Sequence, residues 1–168
     1  ELLKNYMTTC RCSGDDTLKP VISLGLSPLA NNLINSPNEN VELYPLEMVY
    51  CPESHNCQLS YIVPAEKMFD NYLYVSSTAK TFRDHFENAS KKYISKYSLD
   101  MNSLVVDIGS NDGVALSPLK NENIRVVGIE PANNIAKLAN DKGIDTINDY
   151  FNNKAVDLIL DKYGEADI

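Results

Sequence analysis

The sequence predicts an α/β chain in which a small β module precedes the first strands of a parallel sheet. Three observations predict this class. Four cysteines fall in two close pairs within the first 57 residues, and short apolar runs in the same region are separated by Pro, Gly and Asn. After Asp100, strand-like runs alternate with helical ones, which is typical of a doubly wound sheet. The composition, 43% hydrophobic and 23% charged, is that of a globular protein.

Residues 1–63 are predicted to form a β module with little core of its own. Strand-like runs occupy residues 18–26, 46–50 and 59–63, and turn residues separate them. Because a module of this size buries little apolar surface, it needs a further constraint, and a bound metal is a common one.

The cysteines supply candidate metal ligands. No basic and apolar leader opens the sequence, so we expect a cytoplasmic protein, whose thiols stay reduced. Paired thiols in such a chain favour zinc over disulfides. We therefore predict a zinc-ribbon-like unit with one Zn²⁺ held by Cys10, Cys12, Cys51 and Cys57. Buried thiols without a metal, which behave as small apolar side chains, remain the alternative.

Residues 64–100 are predicted to be a helical linker. A short helix begins near Ala65, and residues 72–77 (YLYVSS) form an extended loop, called here the Tyr/Ser loop. The following helix, capped by Ser77 or Thr78, is expected to carry His85 as a packed residue. Its inner face is predicted from helical spacing to comprise Phe82, Phe86, Ala89, Tyr93 and Tyr97.

Residues 101–168 are predicted to form the first part of a Rossmann-like domain. Strands are expected at 103–108, 124–129 and 144–147, with helices at 113–120, 131–142 and 152–163. Pro131 suits the first position of the second helix. Another strand starts at Ala166, so we expect this sequence to be a fragment whose sheet continues beyond Ile168.

The sharpest motif is residues 106–113 (VDIGSNDG), which follow the first strand of this sheet. Glycine at such a turn lets the backbone approach a ligand closely, and Glu130, at the end of the second strand, can accept hydrogen bonds from ribose hydroxyls. The motif therefore predicts a nucleoside cofactor site, although a simple tight turn is the alternative. Its candidate residues are Asp107, Gly109, Asn111, Gly113, Glu130 and Pro131.

The turn departs from the G-x-G-x-x-G pattern of dinucleotide sites. Asp112 would repel a diphosphate at the following helix, whereas an acidic turn suits the cationic sulfonium of S-adenosylmethionine. In methyltransferases that use this cofactor, a residue placed like Asp149 often contacts adenine, but Asn148-Asp149 is also good turn chemistry.

Taken together, the motifs resemble those of the sugar C-methyltransferases of antibiotic and surface-polysaccharide pathways. Those enzymes have an N-terminal zinc-binding domain, a central methyltransferase domain and a C-terminal domain. The resemblance is carried by residues 10–14, 24–31, 44–46, 57–59, 72–77, 85–86, 106–113 and 128–131.

The resemblance implies methylation of a ring carbon of a nucleotide-linked keto-deoxysugar, with S-adenosylmethionine as donor. The Tyr/Ser loop resembles the family's substrate-side loop, which makes Tyr74 and Tyr72 candidate catalytic residues, although packing is an equal alternative. The family's general base is expected downstream of residue 168, so the fragment alone is expected to be inactive.

The cysteine spacing departs from the family's C-x-x-C pairs. Ser54 stands where the third cysteine is expected, and His55 is close enough in sequence to substitute for Cys51.

Charge and hydropathy weigh against other classes of function. With 15 Lys and Arg against 23 Asp and Glu, the net charge of −8 disfavours nucleic acid binding, and no apolar run is long enough to span a membrane. A zinc-ribbon methyltransferase of nucleic acids and a non-catalytic zinc module with a vestigial nucleotide fold remain alternatives. The edge of a truncated sheet is expected to favour self-association.

Overall fold

The computed structural model describes residues 2–30, 32–70 and 72–168. It contains two compact units, Glu1–Met68 and Phe69–Ile168, each with a three-stranded sheet, which confirms a mixed α/β chain. The finer division into 1–63, 64–100 and 101–168 stays a prediction. Asn31, the last residue of the 24–31 motif, lies outside the described residues. Among the described residues, no helix has the length and apolar content needed to cross a membrane.

The sheet of the first unit is antiparallel. Its strands are β1 (Lys19–Pro28), β2 (Leu43–Tyr50) and β3 (Cys57–Leu59), in that spatial order. The third predicted run, 59–63, is mostly not a strand; its Tyr61 forms an isolated bridge with Tyr6 instead. The number of strands is therefore as predicted, and the observed bounds differ from the predicted ones by a few residues.

Few apolar side chains of the first unit are buried. Among those that the structure describes, they are Cys10, Cys51, Tyr44 and Tyr61. The ring of Tyr61 packs 5.1 Å from that of Tyr6 and 6.1 Å from that of Tyr44, between centroids.

The sheet of the second unit is parallel. Its strands are β4 (Leu104–Ile108), β5 (Arg125–Ile129) and β6 (Thr146–Ile147), with β5 in the middle. On the free side of β4, the Val106 amide donates to the Ile168 carbonyl at 2.8 Å, and the Asp167 amide donates to the Leu104 carbonyl at 2.8 Å. Residues 166–168 therefore lie beside β4, on the side opposite β5.

In the part of the chain that the structure describes, the α-helices are α1 (Ala65–Phe69), α2 (Lys80–Tyr97), α3 (Leu116–Asn121), α4 (Asn133–Asp141) and α5 (Asn153–Tyr163). α3 and α4 begin two or three residues later than predicted. Gly113 has φ = 78°, which no right-handed helix accommodates, so α3 starts three residues further on. Ala132 is extended at the N-cap of α4, so Pro131 precedes the helix instead of opening it.

The predicted inner face of α2 is only partly right, since Phe86 and Ala89 are half-buried and the other three residues are exposed. Phe82, Tyr93 and Tyr97 are between 42% and 50% exposed, and His85 is exposed as well. The covered side carries Ser90, which is buried, and Ile94, which packs on the sheet core with Leu99. The predicted cap is also absent, since Ala79 occupies the N-cap position. Helical spacing identifies residues that share one face of a helix, but the packing of neighbouring elements determines which face is buried.

Candidate functional site

The glycine turn after β4 is tied to the end of the neighbouring strand. The amides of Gly109 and Ser110 both donate to the Ile129 carbonyl, at 2.8 and 3.1 Å. Gly109 has φ = 73°, and a Cβ built on it would meet no atom within 4 Å. The backbone of the turn is therefore fixed, and open space lies on the side where Gly109 lacks a side chain.

Glu130 lies directly beside this turn. It is only 6% exposed, and each carboxylate oxygen accepts a backbone hydrogen bond of 2.9 Å, Oε2 from Asn111 and Oε1 from Ala132. The side chain thus fastens the turn after β4 to the segment that leads into α4. Carboxylate oxygens carry two acceptor sites each, so Glu130 keeps capacity for a ligand.

Asp107 adds a second carboxylate near the same edge of the sheet. Burial raises the pKa of Asp107, and the negative charge of Glu130 raises it further. Two carboxylates that repel each other in a partly buried position favour a ligand that offers them hydroxyl or amino hydrogen-bond donors.

Four amides of the turn already have acceptors and do not face a phosphate. Those of Gly109 and Ser110 bind Ile129, that of Asn111 binds Glu130, and that of Gly113 donates to the Ser110 carbonyl at 3.0 Å. Phosphate sites at such turns use free amides at a helix N-terminus, whereas α3 starts only at Leu116. The geometry therefore disfavours a pyrophosphate at this turn.

The last glycine of the motif has a packing role. A Cβ on Gly113 would lie 3.0 Å from the Ile144 side chain, and its φ of 78° is in the left-handed region. Gly113 therefore allows the turn to lie against Ile144, which precedes β6.

Asn111 connects the glycine turn to the Tyr/Ser loop. Its Oδ1 accepts a hydrogen bond from the Ser76 amide at 2.9 Å, and its Nδ2 donates to the Tyr74 carbonyl at 3.1 Å. Its own backbone is left-handed, with φ = 48°, a conformation that asparagine tolerates better than most residues. The predicted ligand residue thus has a clear structural role.

Asp112 makes a second connection to the same loop. The buried carboxylate accepts hydrogen bonds from the amide and hydroxyl of Ser77 and pairs with the Lys142 ammonium. Burial alone would raise the pKa of Asp112, but the contacts with Lys142 and Ser77 outweigh it, and the pKa lies below its usual value. The expectation that Asp112 supplies a free negative charge to the turn is therefore wrong, because Lys142 neutralises it.

The candidate tyrosines lie at the start of this loop. The Tyr72 backbone is held by the Asn134 side chain, which donates to the Tyr72 carbonyl at 2.7 Å and accepts from its amide at 3.2 Å. Tyr74 is 45% exposed. Sequence reasoning missed Asn134 and Lys142, which lie on and just after α4, because no local pattern links them to a loop over 60 residues away.

The two remaining predicted residues, Pro131 and Asp149, follow the ends of β5 and β6. Asn148, which the sequence indicated only as a turn residue, donates from Nδ2 to the carbonyls of Glu130 and Pro131, both at 2.9 Å. Asp149 accepts hydrogen bonds from the Tyr150 amide and Asn152 Nδ2, at 2.8 and 3.1 Å. Asp149 thus forms the turn that its sequence allowed for, and an adenine contact there stays a prediction.

The four cysteines predicted as metal ligands differ in burial. Cys10 and Cys51 are buried, whereas Cys12 and Cys57 are exposed. Within residues 2–30, 32–70 and 72–168, no three His, Cys, Asp or Glu side chains lie close enough together to hold a metal ion. His55 is exposed, and its Nδ1 lies 2.6 Å from the Tyr50 hydroxyl.

A serine takes part in the environment of each buried thiol. Cys10 Sγ lies 3.2 Å from Ser54 Oγ, and Cys51 Sγ lies 3.7 Å from Ser13 Oγ. The hydrogen bond with Ser54, helped by further contacts with Ser13 and Cys12, lowers the pKa of the Cys10 thiol to about 6. Ser13 was missed, although it lies three residues after a cysteine, as Ser54 does.

Two comparisons relate the chain to known proteins. Residues 10–69 match the family model Methyltransf_13, described as "Putative zinc binding domain". Over 159 residues, 94% of this chain, the sequence is 33% identical to the C-methyltransferase NovU of Streptomyces niveus. The chain spans 38% of the length of that relative. These matches confirm the resemblance that the sequence motifs carry.

Proposed function

We propose that these residues contribute the cofactor-binding part of an S-adenosylmethionine-dependent C-methyltransferase whose acceptor is a nucleotide-linked keto-deoxysugar. The similarity to a C-methyltransferase over 94% of the chain supports methyl transfer to carbon. The observation that carries the proposal is the buried Glu130 carboxylate, which is hydrogen-bonded to the same turn in which Gly109 borders open space.

The second unit is, on this proposal, the first part of a Rossmann-like sheet. The spatial order of residues 166–168, β4, β5 and β6 supports it, because a doubly wound sheet grows outward from its first strand in both directions. Ligands of such sheets bind at the carboxyl ends of the strands near this reversal, where Gly109 and Glu130 lie.

The residues present fit an adenosyl cofactor. The missing side chain of Gly109 leaves room for the cofactor against the turn, and Glu130 has acceptor sites for ribose hydroxyls. Asp107 offers a further acceptor at the same edge. When bound, S-adenosylmethionine supplies an electrophilic methyl group on a cationic sulfonium.

On the acceptor side, the proposal assigns the Tyr/Ser loop to the rim of the site. The side chains of Asn111, Asp112 and Asn134 form hydrogen bonds with its backbone. The backbone position of the exposed Tyr74 is therefore fixed, and its hydroxyl is available to a ligand. Removal of the proton next to the sugar ketone, which makes the carbon nucleophilic, is not assigned to any residue of this chain.

The test is a titration of the isotope-labelled 168-residue chain with S-adenosylmethionine, followed residue by residue by NMR. We expect shifts concentrated at residues 107–113 and 130–131, and no comparable shifts with NAD. Glu130→Ala should weaken binding by about 1.5–3 kcal/mol, the scale of a hydrogen bond to a charged group.

Glu122→Ala is the matched control, because exposed Glu122 precedes β5 whereas Glu130 follows it, at the opposite edge of the sheet. Equal affinity of the two variants, or shifts away from the glycine turn, would place the cofactor elsewhere and reject the proposal.

A further inference from the structure

The two turns that carry the buried cysteines share one sequence pattern. Cys10 is followed three residues later by Ser13, and Cys51 is followed three residues later by Ser54. Counted from the buried thiols, the chain therefore contains two C-x-x-S turns, called here turn A (residues 10–15) and turn B (residues 51–56).

Turns A and B also share one backbone conformation. In each, the cysteine amide donates to the carbonyl five residues later: Asp15 at 2.7 Å in turn A and Asn56 at 2.9 Å in turn B. In each, the fourth residue after the cysteine has a positive φ, 81° at Gly14 and 56° at His55. The two turns are thus structural equivalents, although their sequences agree only at the cysteine and the serine.

The equivalent side chains meet crosswise. The thiol of turn A contacts the hydroxyl of turn B, with 3.2 Å between Cys10 Sγ and Ser54 Oγ. The thiol of turn B contacts the hydroxyl of turn A, with 3.7 Å between Cys51 Sγ and Ser13 Oγ. Each buried sulfur therefore faces a hydroxyl of the other turn.

This set of donors does not fit a structural zinc ion. Structural zinc sites take four ligands from thiolates and imidazoles, and neutral hydroxyls are not among the usual donors. Half of the positions between the turns are hydroxyls, and Cys12 and Cys57 are exposed. Residues 10–69 thus match a model described as a putative zinc binding domain, while the paired turns bury only two thiols.

We propose that the first unit of this chain folds without zinc and holds turns A and B together by crosswise thiol–hydroxyl hydrogen bonds. Cys10 and Cys51 are 2% and 0% exposed, and the Ser54 hydroxyl supplies the hydrogen bond that contributes most to lowering the pKa of Cys10. This inference concerns the first unit alone and is independent of the proposed methyl transfer.

The experiment compares the 168-residue chain with the double variant Ser13→Cys/Ser54→Cys, both produced with added zinc salt and kept reduced. Elemental analysis gives zinc per chain, and amide hydrogen exchange of residues 2–63 is followed with and without a strong chelator. We expect almost no zinc in the natural sequence and no effect of the chelator. The double variant should bind one zinc per chain and show slower exchange that the chelator reverses.

Two results would overturn the inference. One zinc per natural chain, released together with the fold of the first unit, would show that a metal holds the turns. Loss of that zinc in Cys12→Ser and Cys57→Ser variants would then assign it to the four-cysteine site predicted from the sequence. Absence of zinc from the double variant as well would show that the two serines are not what distinguishes these turns from a zinc site.

Discussion

The side-chain oxygen of Asn111 accepts a hydrogen bond of 2.9 Å from the backbone amide of Ser76, 35 residues earlier in the chain. The amide nitrogen of the same side chain donates to the Tyr74 carbonyl. One asparagine in the glycine turn therefore fixes two points of the Tyr/Ser loop. Any change that alters the turn should move the loop, so the cofactor and acceptor sides of the proposed site are mechanically connected.

Replacing Asn111 by Ala should destabilise the second unit by about 2–3 kcal/mol. The variant loses both hydrogen bonds to the loop, and alanine at φ = 48° adds strain of about 1 kcal/mol. Asn111→Gly removes the hydrogen bonds without the strain and should cost about 1–2 kcal/mol. Denaturant unfolding gives both values, and amide exchange at Ser76 should accelerate in both variants. Unchanged Ser76 exchange in the glycine variant would contradict the proposed connection.

The sequence predicted the strands of the second unit well because parallel strands buried on both faces are continuous apolar runs, as at residues 104–106 and 126–129. It also singled out Gly109 and Glu130, since their roles follow from position at strand ends. The contacts of Asp112 could not be predicted in this way. Its partner Lys142 lies 30 residues later, and only the fold brings the two charges together.

The turns of the first unit show the same limit. Counting cysteines paired Cys10 with Cys12 and Cys51 with Cys57, because the four thiols are alike in sequence. The structure distinguishes them by burial, and it pairs each buried thiol with a serine of the other turn. Sequence spacing gives the candidates for a site, but packing decides which of them face one another.

Gly109→Ala and Gly113→Ala should separate cofactor binding from stability. Both glycines have positive φ, so alanine should cost each variant about 1 kcal/mol in strain. Gly113→Ala should cost more, because its Cβ would lie 3.0 Å from Ile144, whereas the Cβ of Gly109→Ala enters open space. Gly109→Ala should instead weaken S-adenosylmethionine binding more strongly.

Thermal unfolding and calorimetric titration measure these two quantities in parallel. If Gly109→Ala lowers stability as much as Gly113→Ala and leaves cofactor affinity unchanged, the open space beside Gly109 is not part of the cofactor site.

Asp107→Asn should stabilise the second unit at neutral pH. The pKa of Asp107 is higher in the folded protein than its usual 3.8, so the folded state binds this proton more tightly than the unfolded state. Stability contributed by the protonated group is therefore complete below the unfolded pKa and is lost as the pH rises through the folded pKa.

Asp107→Asn carries no charge at this position and does not lose stability in this way as the pH rises. The difference in unfolding free energy between the variant and the natural sequence should therefore decrease as the pH falls toward 3.8. Unfolding midpoints measured across this range test the prediction, and Asp157→Asn, at an exposed position of α5, is the control. A stability difference that does not vary with pH would contradict the raised pKa.

The 168-residue chain should self-associate through the side of the sheet where residues 166–168 lie beside β4. An apolar cleft of about 300 Å³ is found there, lined by residues that include Val106, Ile108, Phe151, Leu160 and Ile168. Ile108 and Phe151 are 57% and 54% exposed. Exposed apolar surface next to a strand edge favours pairing with a second copy of the chain.

Leu160 and Leu158 allow a matched test of this surface. Both belong to α5 and are similarly exposed, at 48% and 41%, but only Leu160 lines the cleft. Leu160→Ser should weaken association by on the order of tenfold, because it removes an apolar side chain that would be buried between copies. Leu158→Ser should leave association unchanged. Sedimentation velocity over a range of concentrations measures both, and equal weakening by the two variants would move the contact away from the cleft. A chain that stays monomeric at every concentration would reject self-association at this surface.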